Sequence, residues 1–136
     1  VSNFQIHHLK DIIEDTGVVP VVNQVEFHPL LTQRELLKYC REQGVQMEAW
    51  SPLMQGNLEL PLLQELAGKY GKTPAQIVLR WDLQQGVITI PKSVHANRIT
   101  ENAGFFDFTL SDEDVKALED LNQNHRFGPD PDNFNF

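Results

Sequence analysis

Apolar positions along the chain fall into two alternating rhythms. Ile6, Leu9, Ile12 and Ile13 recur at helical spacing, with Asn3 ahead of them as an expected N-cap and Gly17 as the stop. Val19 to Phe27 is β-branched and aromatic, ends at His28-Pro29 and reads as a buried strand. Thr32 and Glu35 form a capping-box pattern ahead of Leu36, Leu37 and Cys40 on one helical face, and Gly44 closes that segment. Val45 to Trp50 is a second strand, halted by Ser51-Pro52. A helix from about Pro61 to Tyr70 presents Leu62, Leu63, Leu66 and Tyr70. Thr73-Pro74-Ala75-Gln76 is a strong helix start, with Ile77, Val78 and Trp81 expected inward. Val87 to Ile90 is a third short strand, and a helix from about Asn97 to Gly104 follows. Ser111 caps a last helix carrying Val115, Leu118 and Leu121, after which Phe127, Phe134 and Phe136 are the anchors expected in a polar tail.

Near-continuous apolar strands alternating with helices indicate an α/β protein with a parallel sheet covered by helices. At 136 residues the chain is one domain at most, and a closed eight-stranded barrel typically needs ~250. The start at Val1-Ser2-Asn3-Phe4, already strand-like and without Met, is expected to be a cut.

Composition narrows the function classes. The net charge of −8 argues against a nucleic-acid partner, since phosphate binding needs clustered cations. Residues 107–136 carry eight acids and two bases, so most of the excess lies at one end. The longest apolar run, Val18 to Val22, is broken by Pro20 and is far short of the ~20 residues of a membrane span. A single cysteine, Cys40, excludes an internal disulfide and suits a reducing compartment; a cytoplasmic location is expected.

In parallel α/β folds ligands gather at the C-terminal ends of strands, here Ser2-Asn3, Gln24 to Pro29, Trp50 to Gly56 and Pro91 to Arg98. Lys92-Ser93 follows a strand directly, and Arg98 opens the next helix with Glu101 and Asn102 on its face. That arrangement suits a phosphate dianion; on spacing alone a surface loop with an Arg98–Glu101 ion pair is the more ordinary reading. Trp50 offers a flat face to a heteroaromatic ligand or simple packing bulk. Asn3 and Gln24 are amides that can pair with another amide. The histidines carry less: His7 and His8 cannot share a helical face, and His28 reads as a strand-end hydrogen bonder. Cys40 has core spacing, no metal set is visible, and Tyr39 and Tyr70 lie in helical patterns.

Taken in order, Val1-Ser2-Asn3-Phe4, Asn23-Gln24-Val25-Glu26-Phe27-His28-Pro29, Trp50-Ser51-Pro52-Leu53, Thr89-Ile90-Pro91-Lys92-Ser93, Arg98 and Glu101-Asn102 resemble the C-terminal half of an aldo-keto reductase. The Met54-Gln55-Gly56 continuation and the Arg126-Phe127-Gly128-Pro129-Asp130-Pro131 tail are most similar to bacterial 2,5-diketo-D-gluconate and glyoxal/methylglyoxal reductases. The resemblance implies the second half of a (β/α)8 TIM barrel, parallel strands with outer helices, spanning residues 1–136 as a partial single domain. It also implies NADPH as cofactor and an aldehyde or ketone as substrate. By the same resemblance Ser2, Asn3 and Gln24 would hold the nicotinamide carboxamide, and Trp50 would stack on its ring. Ser51, Leu53 and Gln55 would meet the pyrophosphate. Lys92, Ser93, Val94 and Arg98 would grip the adenosine 2′-phosphate, with Glu101 and Asn102 at the adenine. The family's catalytic Asp, Tyr, Lys and His come from the first half of the barrel, so no catalytic residue is assigned here and this half alone is expected to be inactive. The full-length protein is expected to be a monomeric, non-membrane enzyme. Alternatives are a non-catalytic NADP-binding or sensor module, and a half-barrel that pairs through exposed strand edges.

Overall fold

A computed structural model describes residues 1–50, 54, 58–89, 107–128 and 131. In chain order the described elements are α1 (Ile6–Thr16), β1 (Val22–Glu26), α2 (Arg34–Gln43), β2 (Gln46–Trp50), α3 (Pro61–Tyr70), α4 (Pro74–Gln84), β3 (Ile88–Thr89) and α5 (Asp112–Glu119). The strands form a parallel sheet in the order β1-β2-β3, with Gln24 opposite Glu48, Glu26 opposite Trp50 and Glu48 opposite Ile88. Ser2 forms a parallel bridge to Gln24, which adds a fourth short rung at the β1 edge.

Strand alternation sorts the side chains. Val25, Phe27, Met47 and Ala49 point into the helix-covered core with Leu37, Cys40, Leu63, Ile77 and Trp81. Phe27 and Trp81 stack there at 5.2 Å and 17°, each essentially without exposure. Burying a phenylalanine of this kind contributes about 3 kcal/mol. Gln24, Gln46, Glu48 and Trp50 lie half-buried, and Ile88 is 47% exposed rather than enclosed as a buried strand would have it.

Several expected boundaries hold for local reasons. Thr73 Oγ1 accepts from the Gln76 amide at 3.2 Å while Gln76 Oε1 accepts from the Thr73 amide at 3.0 Å, and Pro74 opens α4. Ser111 caps α5 by accepting from Asp114 N at 3.2 Å. Gly44 ends α2 at φ +75°, a conformation that costs glycine nothing.

Others move. The cap of α1 is Gln5, whose amide donates to His8 Nδ1 at 2.9 Å, because Asn3 is held at φ +58° with its amide on Gln24 O at 2.6 Å. The first strand begins at Val22 rather than Val19: Pro20 has no amide to donate, and Val18, Val19 and Val21 are exposed at 64, 41 and 79%. The Thr32–Glu35 box does not form. Thr32 is buried with its amide on Asn122 Oδ1 at 3.2 Å, and α2 starts one turn position later, after Gln33 at φ +41°. Asp82 is buried as well, one turn beyond Val78 on α4 and outside the inward face expected there. The helix expected at 97–104 lies outside the described residues.

Lys69, Tyr70 and Asp114 bind α3 to α5. Lys69 Nζ lies 2.7 Å from Asp114 Oδ2, and the Tyr70 hydroxyl donates to the same oxygen at 2.5 Å. The Lys69 ammonium, followed by the Tyr70 hydroxyl, holds the Asp114 carboxyl below its ordinary range. Tyr70 is thereby committed to a helix–helix contact. No described helix is long and apolar enough to cross a membrane.

Candidate functional site

Trp50 ends β2, next to β1 and to the Ser2-Asn3 segment bridged to the β1 edge. Its indole Nε1 donates to Asn3 Oδ1 at 2.7 Å, a bond that the left-handed backbone of Asn3 makes possible. Gln24 Nε2 donates to Glu48 Oε1 at 3.1 Å, across the register that sets those residues opposite each other. Ser2 stands at the bridge to Gln24. Of the thirteen cofactor residues expected, Ser2, Asn3, Gln24 and Trp50 are therefore brought together. Ser51, Leu53, Gln55, Lys92, Ser93, Val94, Arg98, Glu101 and Asn102 lie outside the described residues.

Asn3 and Gln24 do not pair with each other through their side-chain amides. Each spends one end of its amide on a neighbour, Asn3 its oxygen and Gln24 its nitrogen. Asn3 Nδ2 and Gln24 Oε1 are left as one donor and one acceptor, the complement of a primary carboxamide.

A second cluster lies beside the first, on the rung that pairs Glu26 with Trp50. Glu26 is 1% exposed and His28 fully buried, with His28 Nε2 2.7 Å from Glu26 Oε2. The same carboxylate accepts from two main-chain amides a hundred residues away, Phe127 N at 2.8 Å and Gly128 N at 3.0 Å. Burial by itself would raise the Glu26 carboxyl; the bond to His28 and the two amides outweigh it and hold it below its ordinary value. The Gly128 backbone packs on the six-membered ring of Trp50 so closely that a Cβ there would lie 2.2 Å from Cη2 and 2.9 Å from Cζ3.

The tail is thus anchored by main-chain groups as well as by Phe127, and His125 N adds a bond to Leu30 O at 3.0 Å. Glu26 and Gly128 were absent from the expected site. The signal for Glu26 is the period-two run Gln24, Glu26, His28, which puts all three on the face carrying Trp50; Gly128 has no such signal, its link being a backbone amide. Cys40 is fully buried; burial pushes its thiol up, with Asn23 opposing in part. Among the described residues no group of three or more His, Cys, Asp or Glu is placed to hold a metal ion.

Residues 1–123 match the Aldo/keto reductase family. The chain is 60% identical to the uncharacterized oxidoreductase YtbE of Bacillus subtilis, over 100% of its own length and 49% of that protein. It is 56% identical to the glyoxal reductase of the same organism, covering 50% of it. It is 50% identical to the methylglyoxal reductase DkgA of Escherichia coli K12, with 98% of this chain and 50% of that one covered. The chain spans about half the length of these curated relatives. Among solved structures, a mutant of Gox0644 in complex with NADPH superposes with a TM-score of 0.95 at 43% identity, over 100% of this chain and 51% of that one. An aldo-keto reductase from a Medee basin deep-sea metagenome library gives 0.95 at 37% identity, covering 52% of that chain. The architecture is accordingly that of half of a (β/α)8 barrel, parallel strands with outer helices.

Proposed function

The chain belongs to the aldo/keto reductase family, and from that premise we propose that it is the cofactor-binding half of an NADPH-dependent carbonyl reductase. The observation that carries the reading is the placement of Asn3, bonded through its side chain to Trp50 at the end of β2 and through its backbone to Gln24 in the middle of the neighbouring β1. The remaining donor on Asn3 and acceptor on Gln24 fit a nicotinamide carboxamide, and the Trp50 face fits its ring. Bound NADPH supplies hydride to a carbonyl carbon, and the residues of this chain bind and orient it. Ser2 joins the carboxamide contacts; Ser51, Leu53 and Gln55 take the pyrophosphate. Lys92, Ser93, Val94 and Arg98 take the 2′-phosphate, and Glu101 and Asn102 the adenine.

Proton delivery to the substrate oxygen belongs, on this reading, to Asp, Tyr, Lys and His in the other half of the barrel. The hydroxyl of Tyr70 is engaged by Asp114, and Tyr39 sits within α2, which supports placing the proton donor elsewhere. Residues 1–136 are then one partial domain of a cytoplasmic, monomeric enzyme. Its substrates are small aldehydes or ketones, in keeping with relatives named glyoxal and methylglyoxal reductases.

The test joins this chain to the first half of a relative's barrel and follows NADPH consumption with methylglyoxal. The joined protein turns over and the 136-residue chain does not; turnover by the chain alone overturns the placement of the proton donor. In the joined protein, Arg98→Ala weakens NADPH by roughly 10- to 100-fold and leaves NADH unchanged, the loss expected for one charged hydrogen bond. Equal weakening of both nucleotides overturns the 2′-phosphate assignment.

A further inference from the structure

Trp50 is held at two opposite edges. Its pyrrole edge is tethered through Nε1 to Asn3, and its benzo edge abuts the Gly128 main chain. What the ring keeps to offer is its faces. The direction of those faces therefore depends on where the Gly128 backbone sits.

Gly128 is placed by Glu26. The Glu26 carboxylate takes the Phe127 amide on Oε2 and the Gly128 amide on Oε1, and His28 fixes Oε2 from the side. Glu26 also stands opposite Trp50 in the β1–β2 register, so anchor and ring share one rung of the sheet. A buried acceptor-only group facing two donors cannot be replaced by an amide without setting donor against donor. Glycine is needed at 128 because any side chain would enter the indole.

We propose that Glu26 is a positioning residue for Trp50: it pins the Phe127–Gly128 segment against the benzo edge and so sets the ring face presented to nicotinamide. The role given to that face rests on the cofactor reading above; the clamp itself does not.

The experiment uses the 136-residue chain, its Glu26→Gln and Gly128→Ala variants, and amide-resolved NMR. In Glu26→Gln, exchange of the Phe127 or Gly128 amide rises by about tenfold or more and the Trp50 indole N–H resonance moves. The Met47 and Ala49 amides of β2 keep their protection. Wild-type behaviour of the tail amides and the indole overturns the proposal, as does an equal rise at every amide. Gly128→Ala leaves the Glu26 carboxylate in place and is decisive should Glu26→Gln not fold. Its Trp50 resonance moves while the Phe127 amide stays protected, and an unmoved indole overturns the proposal. NADPH titrated against tryptophan fluorescence in the joined barrel separates the two readings. Quenching in the wild type with an affinity at least about fivefold weaker in Glu26→Gln supports both, and equal affinities overturn the positioning role. No quenching even in the wild type overturns the cofactor reading and leaves the clamp to be judged by its exchange and indole data.

Discussion

Asp82 gives the sharpest quantitative test of the fold. It lies buried on α4 with no exposure, and neither carboxyl oxygen has a hydrogen-bond partner among the described residues. Burial drives its carboxyl well above 3.8. An unsatisfied buried polar group costs about 1–3 kcal/mol. Replacement by leucine removes that cost and adds apolar contact, set against about 1 kcal/mol for the poorer fit of an added branch. The net expectation is a gain of about 1–2 kcal/mol at pH 7, or about 3–8 °C in melting temperature for a chain of this size.

The pH dependence supplies an independent sign. A carboxyl raised in the folded state binds its proton more tightly there, so its contribution is fully present below 3.8 and is lost as pH rises through the folded value. The advantage of Asp82→Leu over wild type therefore grows with pH. Urea melts of both proteins at pH 4 and pH 7 measure it, and differencing removes the opposite-signed contributions of Glu26 and Asp114, common to both. Asp82→Asn also loses the slope yet gains less at low pH, since an amide keeps the unmet hydrogen bonds. A leucine variant less stable by the same amount at both pH values refutes the reasoning.

Three further outcomes are expected. Glu26 is held below 4.5, so its clamp persists on acidification past that value and releases only as the carboxyl protonates; the Trp50 indole resonance follows a midpoint below pH 4.5, and a midpoint at or above it refutes the assignment. Thr73→Ala removes the hydroxyl cap of α4 and costs about 1 kcal/mol by denaturant melts, whereas Thr73→Ser costs a few tenths. Cys40, buried and with its thiol pushed up, resists iodoacetamide in the native chain and reacts fully in denaturant; native labelling at the denatured rate contradicts its place in the core.

The legible parts of the molecule are those whose causes are local. Thr73-Pro74-Ala75-Gln76 dictates a helix start because donor, acceptor and fixed φ lie within four residues. Gly44 and Ser111 punctuate for similar reasons. Two boundaries move because a distant partner intervenes, whereas β1 starts at Val22 for the local reason that Pro20 carries no amide. Gln24 took the Asn3 amide and moved the start of α1, and Asn122, ninety residues on, took the Thr32 amide and displaced the start of α2. Half of the site followed the same division. Asn3, Gln24 and Trp50 are visible in the sequence as residues at or near strand ends, while Glu26 reads there as one more residue of a buried strand and owes its place to main-chain partners far along the chain.

The sequence by itself determined the α/β alternation, the parallel character of the sheet and the family, because periodicity, caps and motif spacing are properties of neighbouring residues. Only the tertiary structure decided what Glu26 and Gly128 touch and that Asp82 is buried without a partner among the described residues. The clamp joins groups 101 and 102 residues apart through backbone amides, which every residue except proline carries and which therefore leave no mark in the sequence.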